Sequence, residues 1–340
     1  MIRAGSGATL SSGYDRHPAP STGTLHACYA PGATIDTGVA TPHDAADDRS
    51  APGGRAASMV RADGGMFLMG TGDPGGHPAD GEGPVHRVHV DPFRIDPHTV
   101  SNAAFRAFVD ATGHRTSAEL IGWSFVFVGL LPAAHPSTRG LAQAPWWRQV
   151  FDASWHRPEG PHSNLDGRDD HPVVHVSWHD AQAYCAWAGL RLPLEAEWEY
   201  AARGGLVQRR FPWGDRLEPG GAHRMNVWQG RFPATNTMAD GWYGTAPVDA
   251  FPPNGYGLHN VTGNVWEWCS DWFDPGFYRH SPTRNPTGPT RGTLRVMRGG
   301  SYLCHGSYCR RYRVAARTGY SPGRSTGNVG FRCVLPDATG

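Results

Sequence analysis

Two cysteines five residues apart, Cys304 and Cys309, stand in the run GGSYLCHGSYCRRYR, the densest group of reactive side chains in the sequence. On a regular helix that spacing makes the thiols diverge, and on a strand it sends them to opposite faces. A turn between them, which His305-Gly306-Ser307 can supply, would bring them together. Arg310, Arg311 and Arg313 follow directly and Arg317 is close. Cations lower a thiol pKa and favour the thiolate, the form that attacks and binds metal. Two thiolates suit a soft ion, and Cu(I) is the softest common one. Zinc asks for four ligands, and only His305 is at hand. Spacing alone leaves other readings open: a disulfide, or two small buried hydrophobes.

Other candidate groups carry less. The remaining cysteines are Cys28, Cys185, Cys269 and Cys333, and six thiols allow too many pairings for arithmetic to choose. His86 and His89 point to opposite faces of a predicted strand, and His175 and His179 straddle a helix start; most histidines simply hydrogen-bond. Glu195, Glu197 and Glu199 alternate along a short helix and form no close acid pair of the glycosidase type. The chain contains no lysine, so all 31 basic residues are arginine. That excludes a Walker-type phosphate lysine, a Schiff base and pyridoxal chemistry. A formal net charge of +1 gives no bulk attraction to nucleic acid or to a membrane surface.

These groups need elements to position them. Residues 1–57 are rich in Gly, Ser, Pro, Ala and Asp, which predicts a disordered tail containing Cys28. A single domain is expected over 58–337. Order should begin near GGMFLMG, followed by strand alternation in VHRVHVDPFRID. Three helices are predicted. The first is capped by Ser101 and ends at Gly113; the second is capped by Ser177 with Asp180 and ends at Gly189; the third opens after Pro193 and closes at Gly204. From Phe211 to about Asn260 there is no periodicity, and a metal or a functional surface is one way to order so long a stretch. Strand character returns at GNVWEW, RVMRGGSY and GFRCV. With 45 Gly, 29 Pro and 13 Trp, the reading is a loop-rich domain held by aromatic packing. No apolar run approaches roughly eighteen residues and the N-terminus lacks an apolar signal core, so a soluble cytoplasmic monomer is expected.

Taken in order, these motifs form one continuous resemblance. GGSYLCHGSYCRRYRVAAR with STGNVGFRC resembles the C-terminal active-site region of the formylglycine-generating enzymes, also called sulfatase-modifying factors. The likeness continues through FPPNGYGLHNVTGNVWEW, WQGRFPATNT, RLPLEAEWEYAARGG, HPVVHVSWHDAQAYCAWAG, APWWRQV and VSNAAFRAFVDATG, covering about residues 60 to 335. It implies a C-type-lectin-like α+β fold with little regular structure. It also implies a copper-dependent oxidase that uses dioxygen and a thiol reductant. The product would be Cα-formylglycine, formed from a cysteine in a Cys-x-Pro-x-Arg segment of a type I sulfatase.

By the same resemblance, Cys304 and Cys309 would hold Cu(I), while Ser301, Tyr308, Trp266 and Asn328 would line the oxygen and thiol pocket. Without it these four read as packing or turn residues. Calcium would be held by Asn260, Gly263, Val265 and Glu267, and a second ion by Asn226, Val227, Asp240 and Trp242, all offering hard oxygens. Thr99 departs from the acidic residue of some members. Cys185 and Cys333 match a family disulfide, or stay packed thiols in a reducing cytoplasm. A second family pair is lost jointly here, at Ala202 and Val314. The competing reading is a non-catalytic binding module of the same fold, which typically lacks the cysteine pair. An iron-dependent sulfur-transfer enzyme would need a further histidine-bearing helical domain upstream.

Overall fold

The computed structural model describes residues 58–336. The expected tail, with Cys28, lies outside the described residues. Alternating apolar residues build four short strands: β1 (Val60–Ala62), β2 (Gly65–Met69), β3 (His86–Val90) and β4 (Phe93–Ile95). Then come α1 (Asn102–Thr112), α2 (Ser117–Ile121), and a sheet of β5 (Trp123–Phe127), β6 (Gly140–Leu141) and β7 (Ala144–Phe151). Two more helices follow, α3 (Trp178–Trp187) and α4 (Glu195–Arg203). Between α4 and Val265 the strands are only β8 (Gly230–Arg231) and β9 (Thr235–Asn236). The C-terminal part adds β10 (Trp266–Trp272), β11 (Arg295–Arg298), β12 (Arg317–Tyr320), β13 (Val329–Gly330) and β14 (Val334–Pro336).

β4 is flanked by β1 on one side and β14 on the other, both antiparallel, so the two ends of the described chain close on one strand. The largest sheet has the order β12-β11-β10-β13, with β10 and β13 parallel. This is the loop-rich α+β architecture expected from the sequence.

The helices begin where short polar side chains can satisfy free amides. Ser101 Oγ accepts from Ala104 N at 3.2 Å, and Gly113 ends α1 with φ 67°. Ser177 Oγ accepts from Asp180 N while Asp180 Oδ2 accepts from Ser177 N. Asp180 also accepts from Ser117 N at the start of α2, so one buried carboxylate joins two helices. α3 stops at Trp187, with Ala188 as its cap, one residue before Gly189.

Some elements depart from the expectation. Order begins at β1, ahead of GGMFLMG, because Val60 and Ala62 already pair with Ile95 and Phe93. α2 was not expected; its capping box, Thr116 with Glu119, is readable, but five residues show no period. GFRCV splits into β13 and β14, because Arg332 between them turns inward to a bidentate pair with Glu267, at 2.6 and 2.7 Å.

Buried polar contacts tie the loop-rich half together. Glu195 grips Arg317 at 2.7 and 2.8 Å and Arg298 at 3.1 Å, while Glu199 takes Arg298 at 2.5 Å and Arg203 from the other side. All five side chains are buried. In the aperiodic stretch, Asn264 exchanges two hydrogen bonds with the backbone of Ala246 (2.9 and 3.0 Å). Asn254 reaches the last carbonyls of α4 at Ala201 and Ala202. Asparagine amides thus replace sheet and helix partners for backbone that must not be buried unpaired.

Two buried titratable groups oppose each other. Burial lowers the pKa of His175 from 6.5 to about 4, whereas burial, then Glu195, raises Asp271 from 3.8 to about 7. An unfolded histidine binds a proton that His175 refuses between those values, so its contribution to stability is lost as pH falls through that window. Folded Asp271 keeps a proton that an unfolded aspartate releases, so its contribution is lost as pH rises toward 7. In Asp271→Asn the second slope is gone. Denaturant unfolding of this variant should show stability rising from about pH 4 to 6.5, by up to roughly 1.4 kcal/mol per unit more than in the unsubstituted chain. Identical pH profiles would contradict the assignment.

Candidate active site

After β11 the chain doubles back through Gly299 and Gly300, with φ of 91° and 74°. A Cβ on Gly300 would lie 2.8 Å from the carbonyl oxygen of Arg311, so this approach requires glycine. The reversal delivers Ser301 and then Cys304, whose amide donates to Ser301 O at 2.8 Å. His305-Gly306-Ser307 forms the expected turn: the amides of Tyr308, Cys309 and Arg310 all donate to His305 O. Arg310 leaves that turn with φ 45°. The result places Cys304 Sγ 2.8 Å from Cys309 Sγ, both buried. That separation exceeds the roughly 2.05 Å of a disulfide bond.

The electrostatics differ from the sequence expectation. Burial raises the Cys304 thiol to about 11, and hydrogen bonds from Ser301 and Arg311, with the Arg311 charge, offset only part of it. The arginines following the pair already have partners: Arg311 with Asp80 at 2.5 Å, Arg313 with Glu82 at 2.6 Å, Arg317 with Glu195 at 2.7 Å. They hold structure together rather than generate a thiolate. His305 Nδ1 is bonded to Ser307 Oγ at 2.8 Å.

Ser301 and Asn328 meet through their side chains. Asn328 Nδ2 donates to Ser301 Oγ at 2.9 Å, and Thr326 Oγ1 donates to Asn328 Oδ1 at 2.7 Å. The Ser301 amide points at Cys304 Sγ, 3.5 Å away. Trp266 is fully buried; its amide donates to Asn328 O at 2.9 Å, and its indole N–H has no hydrogen-bond partner among the described residues. Tyr308 is half-buried and stacks on Phe232, centroids 4.3 Å apart, with Trp146 edge-on at 5.0 Å. Neither Phe232 nor Trp146 was singled out in the sequence, although WQGRFP and APWW contain them.

Both cysteine carbonyls are held by donors distant in sequence. Trp228 N donates to Cys304 O at 3.1 Å, and His77 Nε2 lies 2.5 Å from Cys309 O. A carbonyl only accepts, so the His77 nitrogen carries the proton. No sequence signal marked His77.

The two sets of oxygen donors adjoin. Val227 N and Trp242 N donate to the two oxygens of Asp240, at 3.0 and 3.1 Å. No guanidinium pairs with Asp240 among the described residues, and burial raises its pKa. Asn226 O accepts from Asn264 N at 2.8 Å and lies against Gly263. In the other set, Asn260 Oδ1 is buried without a partner among the described residues. Glu267 is engaged by Arg332 and by the Trp198 indole, leaving a lone pair on Oε1. Thr99 is buried, and its hydroxyl has no partner among the described residues. Cys185 and Cys333 have sulfurs 3.5 Å apart, and Cys269 is buried in another cluster that also contains Ala202 and Val314.

Residues 45–336 match the family model described as the sulfatase-modifying factor enzyme 1-like domain. The chain belongs to this family. It is 58% identical over 299 residues to the formylglycine-generating enzyme of Streptomyces coelicolor, covering 87% of this chain and 95% of that one. It is also 44% identical to the inactive Cα-formylglycine-generating enzyme 2 of Bos taurus, covering 82% and 88%. Among solved structures it resembles PvdO from Pseudomonas aeruginosa, with a TM-score of 0.59 and 26% identity over 82% of this chain and 94% of that one. No helix among the described residues is long and apolar enough to cross a membrane.

The raised Cys304 pKa has a direct consequence. In metal-free, reduced protein at pH 8, mapped alkylation with iodoacetamide should modify Cys304 at least about a hundredfold more slowly than an exposed cysteine. Equal rates would show a thiolate that burial should have suppressed.

Proposed function

We propose that the protein oxidises a cysteine within a Cys-x-Pro-x-Arg segment of a type I sulfatase to Cα-formylglycine, with dioxygen and a thiol reductant. The observation carrying this reading is the buried sulfur pair, 2.8 Å apart, in a chain similar to enzymes named for that product. A non-catalytic binding role is the competing reading, since an inactive relative shares the family. The paired sulfurs favour catalysis.

The donor set fits copper. Among the described residues no cluster of three or more His, Cys, Asp or Glu could hold a metal, so Cys304 and Cys309 would act as two soft donors, suited to Cu(I) rather than zinc. Bound there, Cu(I) supplies a soft, redox-active centre for dioxygen chemistry.

The protein's own groups do the rest. Ser301, oriented by Asn328, hydrogen-bonds the Cys304 sulfur and favours its deprotonated form. The Trp266 indole offers a buried N–H that nothing else uses. Tyr308, Phe232 and Trp146 form an apolar platform on the Cys309 side, suited to the proline of an extended peptide. Burial of the pair keeps water from the reacting sulfur.

Calcium is proposed at the two oxygen sets, where no guanidinium pairs with Asp240 and Asn260 Oδ1 has no partner among the described residues. Val227 directly precedes Trp228, whose amide holds Cys304 O, so the ion would brace the site. Chelation should lower the melting temperature and calcium should restore it; magnesium should not. An unchanged melting curve would remove the calcium assignment.

The direct test uses a Cys-x-Pro-x-Arg peptide, copper, dioxygen and a thiol reductant, followed by mass spectrometry. Conversion to the aldehyde is expected with the unsubstituted chain and should vanish in Cys304→Ala and in Cys309→Ala. No conversion by folded, copper-loaded protein would favour the binding module.

A further inference from the structure

The geometry points to His77 as a positioning residue that holds Cys309 in register with Cys304. This inference rests on the reading of the two cysteines as one working site. His77 sits on a strap between β2 and β3 that is fastened to the chain just beyond Cys309. Asp80 Oδ2 takes Arg311 Nε at 2.5 Å, and Glu82 takes both terminal nitrogens of Arg313, at 2.6 and 2.7 Å. Glu82 also accepts from the His77 amide at 3.1 Å. Gly81, with φ 64°, presses the strap against Pro275, where a Cβ would come within 2.0 Å of a carbonyl oxygen. The strap's position is therefore fixed by buried ion pairs, and His77 is aimed by it.

From that anchor the imidazole Nε2 donates to Cys309 O at 2.5 Å. It matches the Trp228 amide on Cys304 O. The carbonyl of each half of the pair is thus tied to a separate segment, and both ties bear on the gap between the sulfurs. Cys309 ends a turn and is followed by Arg310 in a left-handed conformation, so a donor on its carbonyl steadies the end of that turn.

The test compares His77→Phe and His77→Ala, which lack the donor, with His77→Gln, whose amide nitrogen can occupy the place of Nε2. Two readouts are used on the reduced full-length chain. Arsenite, free of copper, bridges two close thiols with loss of two waters and no change of oxidation state. The increment of binding that disappears in Cys304→Ser reports the pair itself. Cu(I) affinity, by chelator competition, is the second readout. Loss of one hydrogen bond should weaken arsenite and Cu(I) binding roughly three- to tenfold in the donor-less variants, and His77→Gln should restore both. Wild-type binding by a folded donor-less variant overturns the inference. So does a glutamine variant no better than phenylalanine, or a failure of both donor-less variants to fold, since His77 would then serve the fold. If arsenite responds as expected while the unsubstituted chain binds no Cu(I), the copper reading fails and the positioning role stands.

Discussion

Buried guanidinium–carboxylate contacts are the constraint on which this loop-rich molecule depends. Glu195 and Glu199, four residues apart on α4, face Arg298 of β11 and Arg317 of β12, and Arg203 completes the group. Taking such charges out of water is expensive and is repaid only when geometry and hydrogen bonding are nearly complete. Arginine meets that demand, because its planar fork offers several fixed donors at once. In a chain without lysine, every such contact is made by that fork. Arg332 with Glu267, Arg313 with Glu82 and Arg311 with Asp80 extend the same device outward.

The reactive pair depends on this lattice. The turn 305–310 supplies little regular structure, and the groups that meet it and its flanks, His77 on Cys309, Trp228 on Cys304 and Asp80 on Arg311, come from far along the chain. The lattice pairs the nearby guanidiniums with carboxylates, and although the Arg311 charge still favours the Cys304 thiolate, burial outweighs it and Cys304 keeps its proton above neutral pH. On the proposed reading, a soft metal bound here would have to displace the Cys304 proton, so its binding would be coupled to proton release. The same burial keeps both sulfurs out of bulk water.

What could be read from the sequence was local. Ser101 and Gly113, or Ser177 with Asp180, announce helix ends because caps act within a few residues. The turn between Cys304 and Cys309 followed from spacing. What could not be read was long-range. Arg311 and Arg313 looked like thiol activators because their acids, Asp80 and Glu82, lie more than two hundred residues upstream. β5, in WSFVF, has no alternation to reveal it, since its residues after Trp123 are all buried. Phe232, Trp146 and His77 matter only through tertiary contact, and nothing in their neighbourhoods marks them. The family resemblance supplied Ser301, Asn328 and Trp266, which residue chemistry alone would have assigned to turns and packing.

The central claim is that Cys304 and Cys309 act as a single two-sulfur site. X-ray absorption at the copper edge tests it most directly, on Cu(I)-loaded protein and on Cys304→Ser and Cys309→Ser. The expected result is one copper per chain with two sulfur neighbours, lost when either cysteine is replaced. Copper that persists in either variant, or that has nitrogen and oxygen neighbours instead of paired sulfur, would contradict it.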